Sequence, residues 1–245
     1  MRPLASAGPP TNRYPILDAL RGMALLAMFA YHFGFDLVYF GIFKSDPYEN
    51  PIWIGCRTLI LSTFLLLAGM SLTLANRDGV RWPPFWRRFG QIAGCALLVS
   101  IGSYAMFPAS WIYFGVLHHI ALASLLALAF LRFDRTNLWL GIVLIGLGLF
   151  ISAPLFDLKP LNWIGLMTHK PITEDYVPLL PWFGDVLIGM FLGRRFLASA
   201  PAPFKDWRPA AGTSRMLAWA GRHTLLLYMV HQPVFIGLLY LFLGR

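Results

Sequence analysis

The chain has 245 residues and a formal net charge of +9, yet 58% of its residues are apolar types and only 13% are charged. A water-soluble domain carries about a quarter of its residues charged, so this composition excludes an ordinary soluble fold. No basic stretch is interleaved with aromatics on a foldable soluble face, so no nucleic-acid partner is expected; the positive charge belongs instead to the loops of a membrane protein surrounded by lipid.

The apolar residues come in blocks close to the ~20 that a bilayer core asks of a helix. Segment 1–14 has prolines where a signal peptide would have its apolar core, and no cleavage site follows, so a cytoplasmic N-terminal segment is expected there. Residues 15–243 are expected to form a single all-α transmembrane domain of about seven spans. In chain order these are 15–41, 51–76, 89–106, 111–131, 137–153, 179–197 and 216–242. Turn chemistry separates them at Ser45-Asp46-Pro47, Asn76-Arg77-Asp78-Gly79, Pro108-Ala109-Ser110 and Asp134-Arg135-Thr136-Asn137. The fifth span is the shortest.

With alternating crossings, the N-terminus and loops 77–88, 132–136 and 198–215 share one side. That side collects Arg2, Arg13, Arg77, Arg81, Arg87, Arg88, Arg132, Arg135, Arg194, Arg195, Lys205, Arg208, Arg215 and Arg222. The other has Lys44, Arg57, Lys159, Lys170 and Arg245. The excess predicts a cytoplasmic N-terminus and an external C-terminus. Cys56 and Cys95 differ in depth by roughly 13 Å at ~1.5 Å per residue, too far for a disulfide, and read as packing residues.

Ionisable groups inside spans are expensive and usually functional. In the first span Asp18, Arg21, His32 and Asp36 fall within roughly 60° of one another at ~100° per residue, forming one polar stripe. Asp18 and Arg21 are spaced i,i+3 and His32 and Asp36 i,i+4, so each pair is expected to interact. A carboxylate beside a histidine fixes its tautomer, as a general base needs. The fourth span carries His118 and His119, which point ~100° apart, so only one is expected to face a site. The sixth carries Asp185; the last carries Thr224, Tyr228 and His231 before Pro233. His223 is expected at the interface and His169 in solvent. Counting ~1.5 Å per residue places His32, His118, Asp185 and His231 in the outer half of the membrane. They are expected to converge on one site, with Asp18 and Arg21 beneath it. No metal site and no bound cofactor are expected.

Leu17-Asp18-Ala19-Leu20-Arg21-Gly22, with His32 following Arg21 after ten intervening residues, resembles the first span of the type 3 acyltransferases that decorate bacterial surface glycans. Phe64-Leu65-Leu66-Leu67-Ala68-Gly69-Met70-Ser71 and Gly115-Val116-Leu117-His118-His119 resemble runs of the heparan-α-glucosaminide N-acetyltransferase group. The tail, Gly221-Arg222-His223-Thr224 through Tyr228 to His231-Gln232-Pro233, is similar to the last span of both. The resemblance implies a bacterial inner-membrane acyltransferase that moves an acyl group, acetyl from acetyl-CoA or another acyl-CoA, to a glycan or amino-sugar acceptor at the outer face. His32 would be the base or transient acyl carrier, oriented by Asp36. Arg21, with Asp18, would meet the negative charge of the donor or of the developing oxyanion, and the arginines of loop 77–88, Arg77 and Arg81 among them, would hold the donor phosphates. His118, His119, Asp185, Tyr228 and His231 would line the site. Loop 154–178, with Trp163 and Tyr176, would offer aromatic faces to a sugar or anchor at the interface. Both related groups usually have ten or more spans, so by the resemblance part of the acceptor site would either be missing here or be supplied by a homo-oligomer or partner subunit. Two other classes remain open: a b-type haem oxidoreductase using His32, His118 or His119, and His231 as ligands, and a proton-coupled transporter.

Overall fold

The computed structural model describes residues 13–243. The expectation for segment 1–14 therefore lies, for residues 1–12, outside the described residues. The chain forms α1 (Pro15–Tyr39), α2 (Pro51–Ala75), α3 (Trp82–Met106), α4 (Val116–Leu128), α5 (Arg135–Phe150), α6 (Phe183–Ser199), the single turn α7 (Ala202–Lys205), α8 (Gly212–Arg222) and α9 (Thr224–Leu243). Two 3-10 turns at Pro154–Asp157 and Asn162–Ile164 interrupt the long α5–α6 connection. Among the described residues, β structure is limited to an isolated bridge between Phe114 and Tyr176. α1, α2, α3 and α9 are long and apolar enough to cross a bilayer, and α4 and α5 are shorter apolar helices.

The helix starts follow from the sequence. Proline stands in the first turn of α1, α2 and α3, where its missing N–H is not needed and its fixed φ suits the helix. The Asn50 side chain accepts a hydrogen bond from the Ile52 N–H at 2.9 Å and caps α2. Asn76 closes that helix by donating its amide to the Leu72 carbonyl at 2.8 Å.

Three expected boundaries are corrected. The third helix begins at Trp82 rather than near residue 89, because Pro83 and Pro84 fit a first turn; Arg87 and Arg88 therefore stand on α3 and not in a loop. The fourth starts only at Val116, since residues 111–115 are not helical and Phe114 bridges to Tyr176. The expected last span 216–242 is two helices. α8 is amphipathic, with Arg215 and Arg222 beside buried Ala218, Ala220 and Gly221, and the chain breaks at His223, where the Thr224 hydroxyl turns back to the Gly221 carbonyl at 2.8 Å.

Contacts define two ends of the bundle. At one, Arg195 pairs with Asp134 at 2.7 Å and Arg77 reaches the Tyr14 hydroxyl at 3.4 Å. At the other, Ser110 bonds Glu174 at 2.5 Å, Asn162 bonds the Tyr113 hydroxyl at 2.8 Å, and Lys170 sits 5.2 Å over the Tyr48 ring. Arg77 and Arg195 thus stand at the first of these ends, the basic end.

Glycines let helices meet backbone to backbone. Gly69 of α2 abuts the Val186 carbonyl of α6, and Gly189 of α6 abuts the Leu66 carbonyl of α2. Gly221 of α8 packs on the Asp18 carbonyl, pinning α8 to the first half of α1. Leu65, Ala123, Val186, Leu187 and Met190 form the core between α2, α4 and α6. The outer faces of α3 and α9 leave Leu97, Leu98, Ile101, Leu226, Leu241 and Phe242 exposed, a surface suited to lipid and not to water. The protein is an all-helical membrane protein. Gly189→Val is expected to wedge α6 off α2 and cost about 1–3 kcal/mol, read as a lowered Tm in detergent. Gly90→Ala, where an added Cβ meets nothing within 4 Å, should leave Tm unchanged or raise it.

Candidate active site

The polar groups of α1 separate into two clusters. Near the basic end, Asp18 is buried and receives Arg13 through Nε at 2.6 Å and Nη2 at 3.1 Å. Arg21 Nη1 bonds the same carboxylate at 2.6 Å, as the i,i+3 spacing predicts, and Arg21 Nη2 also reaches the Ser71 hydroxyl of α2. The Arg88 charge lies within electrostatic reach of Arg21. Arg77 bonds Asp78 at 3.1 Å, and Arg81 is exposed at the start of α3.

Further along, α1 meets α9. The rings of His32 and His231 pack edge to face with centroids 4.9 Å apart. His32 Nδ1 lies 3.0 Å from the Met28 carbonyl, and His231 Nδ1 lies 2.5 Å from the Tyr228 carbonyl. A carbonyl only accepts, so both Nδ1 atoms carry the proton and both Nε2 atoms keep their lone pair. His231 Nε2 is buried without a partner. Phe29 stacks on His231 at 5.4 Å, and Tyr228 and Phe235 complete its surround. Touching imidazoles leave no room for a haem plane between them.

The expected hydrogen bond between His32 and Asp36 is not formed. Asp36 is held instead by Gln232, whose Nε2 donates to Oδ1 at 2.6 Å. The i,i+4 spacing brings the two α1 residues onto one face, but each side chain has a nearer partner: Met28 for the ring, Gln232 for the carboxylate.

Of the other predicted residues, Tyr228 sits against His231, while His118, His119 and Asp185 do not join the pair. His118 accepts the Gly115 N–H at Nδ1, 3.2 Å, and donates from Nε2 to the Ser100 hydroxyl at 3.0 Å, which passes on to the Ile112 carbonyl at 2.6 Å. With both nitrogens engaged, His118 holds the extended segment before α4. His119 is fully buried and bonded through Nδ1 to the Pro178 carbonyl at 3.0 Å, so it pins the α5–α6 connection. Asp185 accepts from the Ser62 hydroxyl at 2.9 Å and links α6 to α2. Tyr228, next to His231, also lies within electrostatic reach of Asp175. The aromatics of the connection are likewise committed: Trp163 donates to the Pro160 carbonyl at 2.8 Å and Tyr176 to the Asn162 carbonyl at 2.5 Å.

Sequence reasoning missed Gln232, Ser71 and Asp175. Gln232 had one signal, its place beside His231 ahead of a proline. Asp175 had none, being one acid in a long loop. Its Oδ2 accepts the Val116 N–H at 2.8 Å and caps α4. Burial pushes the Asp175 carboxyl up, against the opposing pull of that N–H, His118, Lys170 and Arg57. The native state then holds a proton that the unfolded chain gives up, so stability falls as pH rises from about 4, the unfolded aspartate range, to the raised native value. Asp175→Asn is expected to flatten Tm against pH across that window.

A family model described as heparan-alpha-glucosaminide N-acetyltransferase, catalytic, matches residues 13–233. The chain belongs to this family. No curated protein and no solved structure matches it. The heparan-α-glucosaminide N-acetyltransferase match opens at Arg13, the partner of Asp18, and closes at Pro233, just past His231 and Gln232. Both α1 clusters fall inside it, and the protein is a membrane transferase of the acetyltransferase type.

Proposed function

We propose that the protein crosses a bacterial inner membrane seven times, with its basic end cytoplasmic and its C-terminus external, and moves an acetyl group from acetyl-CoA to an amino-sugar or glycan acceptor at the outer face. The sidedness follows from the arginines gathered at one end. α1 is a single unbroken helix, so Arg21 and His32 lie about 16 Å apart along it. At that distance Arg21 cannot serve an oxyanion formed at His32. It suits the phosphate end of a donor whose thioester is carried on a long arm, with Asp18 and Ser71 holding the guanidinium.

The observation that carries the reading is the His32–His231 pair, with His32 Nδ1 committed to Met28 and Nε2 left open. In the transfer, the acceptor N–H or O–H attacks the thioester carbonyl as His32 Nε2 takes its proton. The tetrahedral intermediate then breaks its C–S bond, and the thiolate recovers the proton from the imidazolium. As transient carrier, the same Nε2 would take the acetyl group first and pass it on. Free-thiol release from acetyl-CoA by purified protein, with and without glucosamine, tests this reading. Release stimulated by the amino sugar supports it; none from folded protein contradicts it.

A further inference from the structure

The α1–α9 seam holds a hydrogen bond that neither helix's own spacing explains. Gln232 Nε2 donates to Asp36 Oδ1 at 2.6 Å, and Asp36 is 3% exposed. Among the described residues the Asp36 carboxylate has no other hydrogen bond and no ion pair; its Oδ2 and the Gln232 Oε1 are both buried without a partner. From this we infer that Gln232 is a positioning residue for the site: it turns the Asp36 carboxylate toward α9 and leaves Oδ2 to receive a hydrogen of the acceptor. This rests on the acetyltransferase reading above.

The physical case has three parts. A buried carboxylate is acceptor-only and needs donors, and Gln232 supplies one, on Oδ1. The His32 ring cannot supply the second, because its Nδ1–H is already given to Met28 and its Nε2 carries a lone pair. The ionised carboxylate's remaining oxygen is thus left for a hydrogen from outside the protein, one helical turn from His32, where the N–H or O–H groups of the proposed acceptor would arrive. Without Gln232 the carboxylate is free to rotate away from that direction.

The rival meaning is a bridge that merely ties two helices together, and an isosteric exchange separates the two. Gln232→Leu, Asp36→Asn and the double variant Asp36→Asn with Gln232→Glu are compared for Tm in detergent and for steady-state thiol release from acetyl-CoA with glucosamine. The inference expects Gln232→Leu to lower kcat/KM for glucosamine at least tenfold while KM for acetyl-CoA is unchanged. It expects the exchange, which rebuilds the hydrogen bond with the carboxylate on the wrong helix, to restore Tm but not the rate. An exchange that restores the rate together with Tm overturns it, as does one that fails to restore Tm, or a Gln232→Leu protein with wild-type kcat/KM. His32→Ala is run alongside. If that variant still transfers acetyl, the acetyltransferase site itself is misassigned; if it is inactive while Gln232→Leu keeps full activity, only the role of Gln232 fails.

Discussion

Replacing Asp18 with asparagine is expected to cost about 3 kcal/mol of stability, the lower end of the range for breaking a buried ion pair. The Asp18 side chain is 4% exposed and is shared by Arg13 and Arg21. Arg21 is 24% exposed and has the Ser71 hydroxyl as its other partner, so removing the carboxylate leaves its charge held by a neutral group alone. Arg13 is half exposed and can turn to water, which keeps the loss at the low end. The place of Asp18 adds to the effect: its backbone carbonyl is the surface on which Gly221 of α8 packs. The variant should show a lower Tm in detergent and a smaller folded yield. Adding Arg21→Met should recover most of the stability, because no unpaired charge then remains. That double variant should still bind acetyl-CoA poorly, having lost the guanidinium proposed to meet the donor's phosphates. Full recovery of donor KM would remove Arg21 from the donor site.

Alanine at His32 is expected to lower the transfer rate about 10²–10⁴-fold, the usual contribution of a general base, with little change in Tm. The side chain is only partly buried, and its protein hydrogen bond runs to a carbonyl of its own helix, so little of the fold hangs on it. His231→Ala differs. His231 is buried and ringed by Phe29, Tyr228 and Phe235, so its removal opens a cavity and lowers Tm along with the rate. A His32→Ala protein that loses Tm as much as His231→Ala would mark the pair as packing.

The bundle was largely legible because lipid leaves few choices. Backbone polar groups have no water to bond, so apolar blocks must become helices; Pro15 and Pro51 stand where the first two were expected to start, whereas the third was expected near residue 89 although Pro83 and Pro84 fit its first turn. Hydropathy failed where an amphipathic helix abuts a span: α8 runs into α9 with one residue between, and only the backbone shows the break at His223. The site was legible in part. The α1 stripe and the Asp18–Arg21 pair are local, set by 3.6-residue periodicity. Depth along a span could be counted, but direction around the helix axis relative to a neighbour could not. His118 and Asp185 were expected at the level of His32, and instead serve Ser100 and Ser62. The Asp36–Gln232 bond joins residues 196 apart in sequence, which no local spacing reveals.

The most direct test of the His32 site is single-turnover transfer of a radiolabelled acetyl group from acetyl-CoA to glucosamine by wild-type protein and by His32→Ala at equal Tm. Label on the amino sugar with the wild type, and a loss of at least a hundredfold with His32→Ala, is the expected result. Equal transfer by the two proteins would contradict the assignment of His32 Nε2 as the reacting nitrogen.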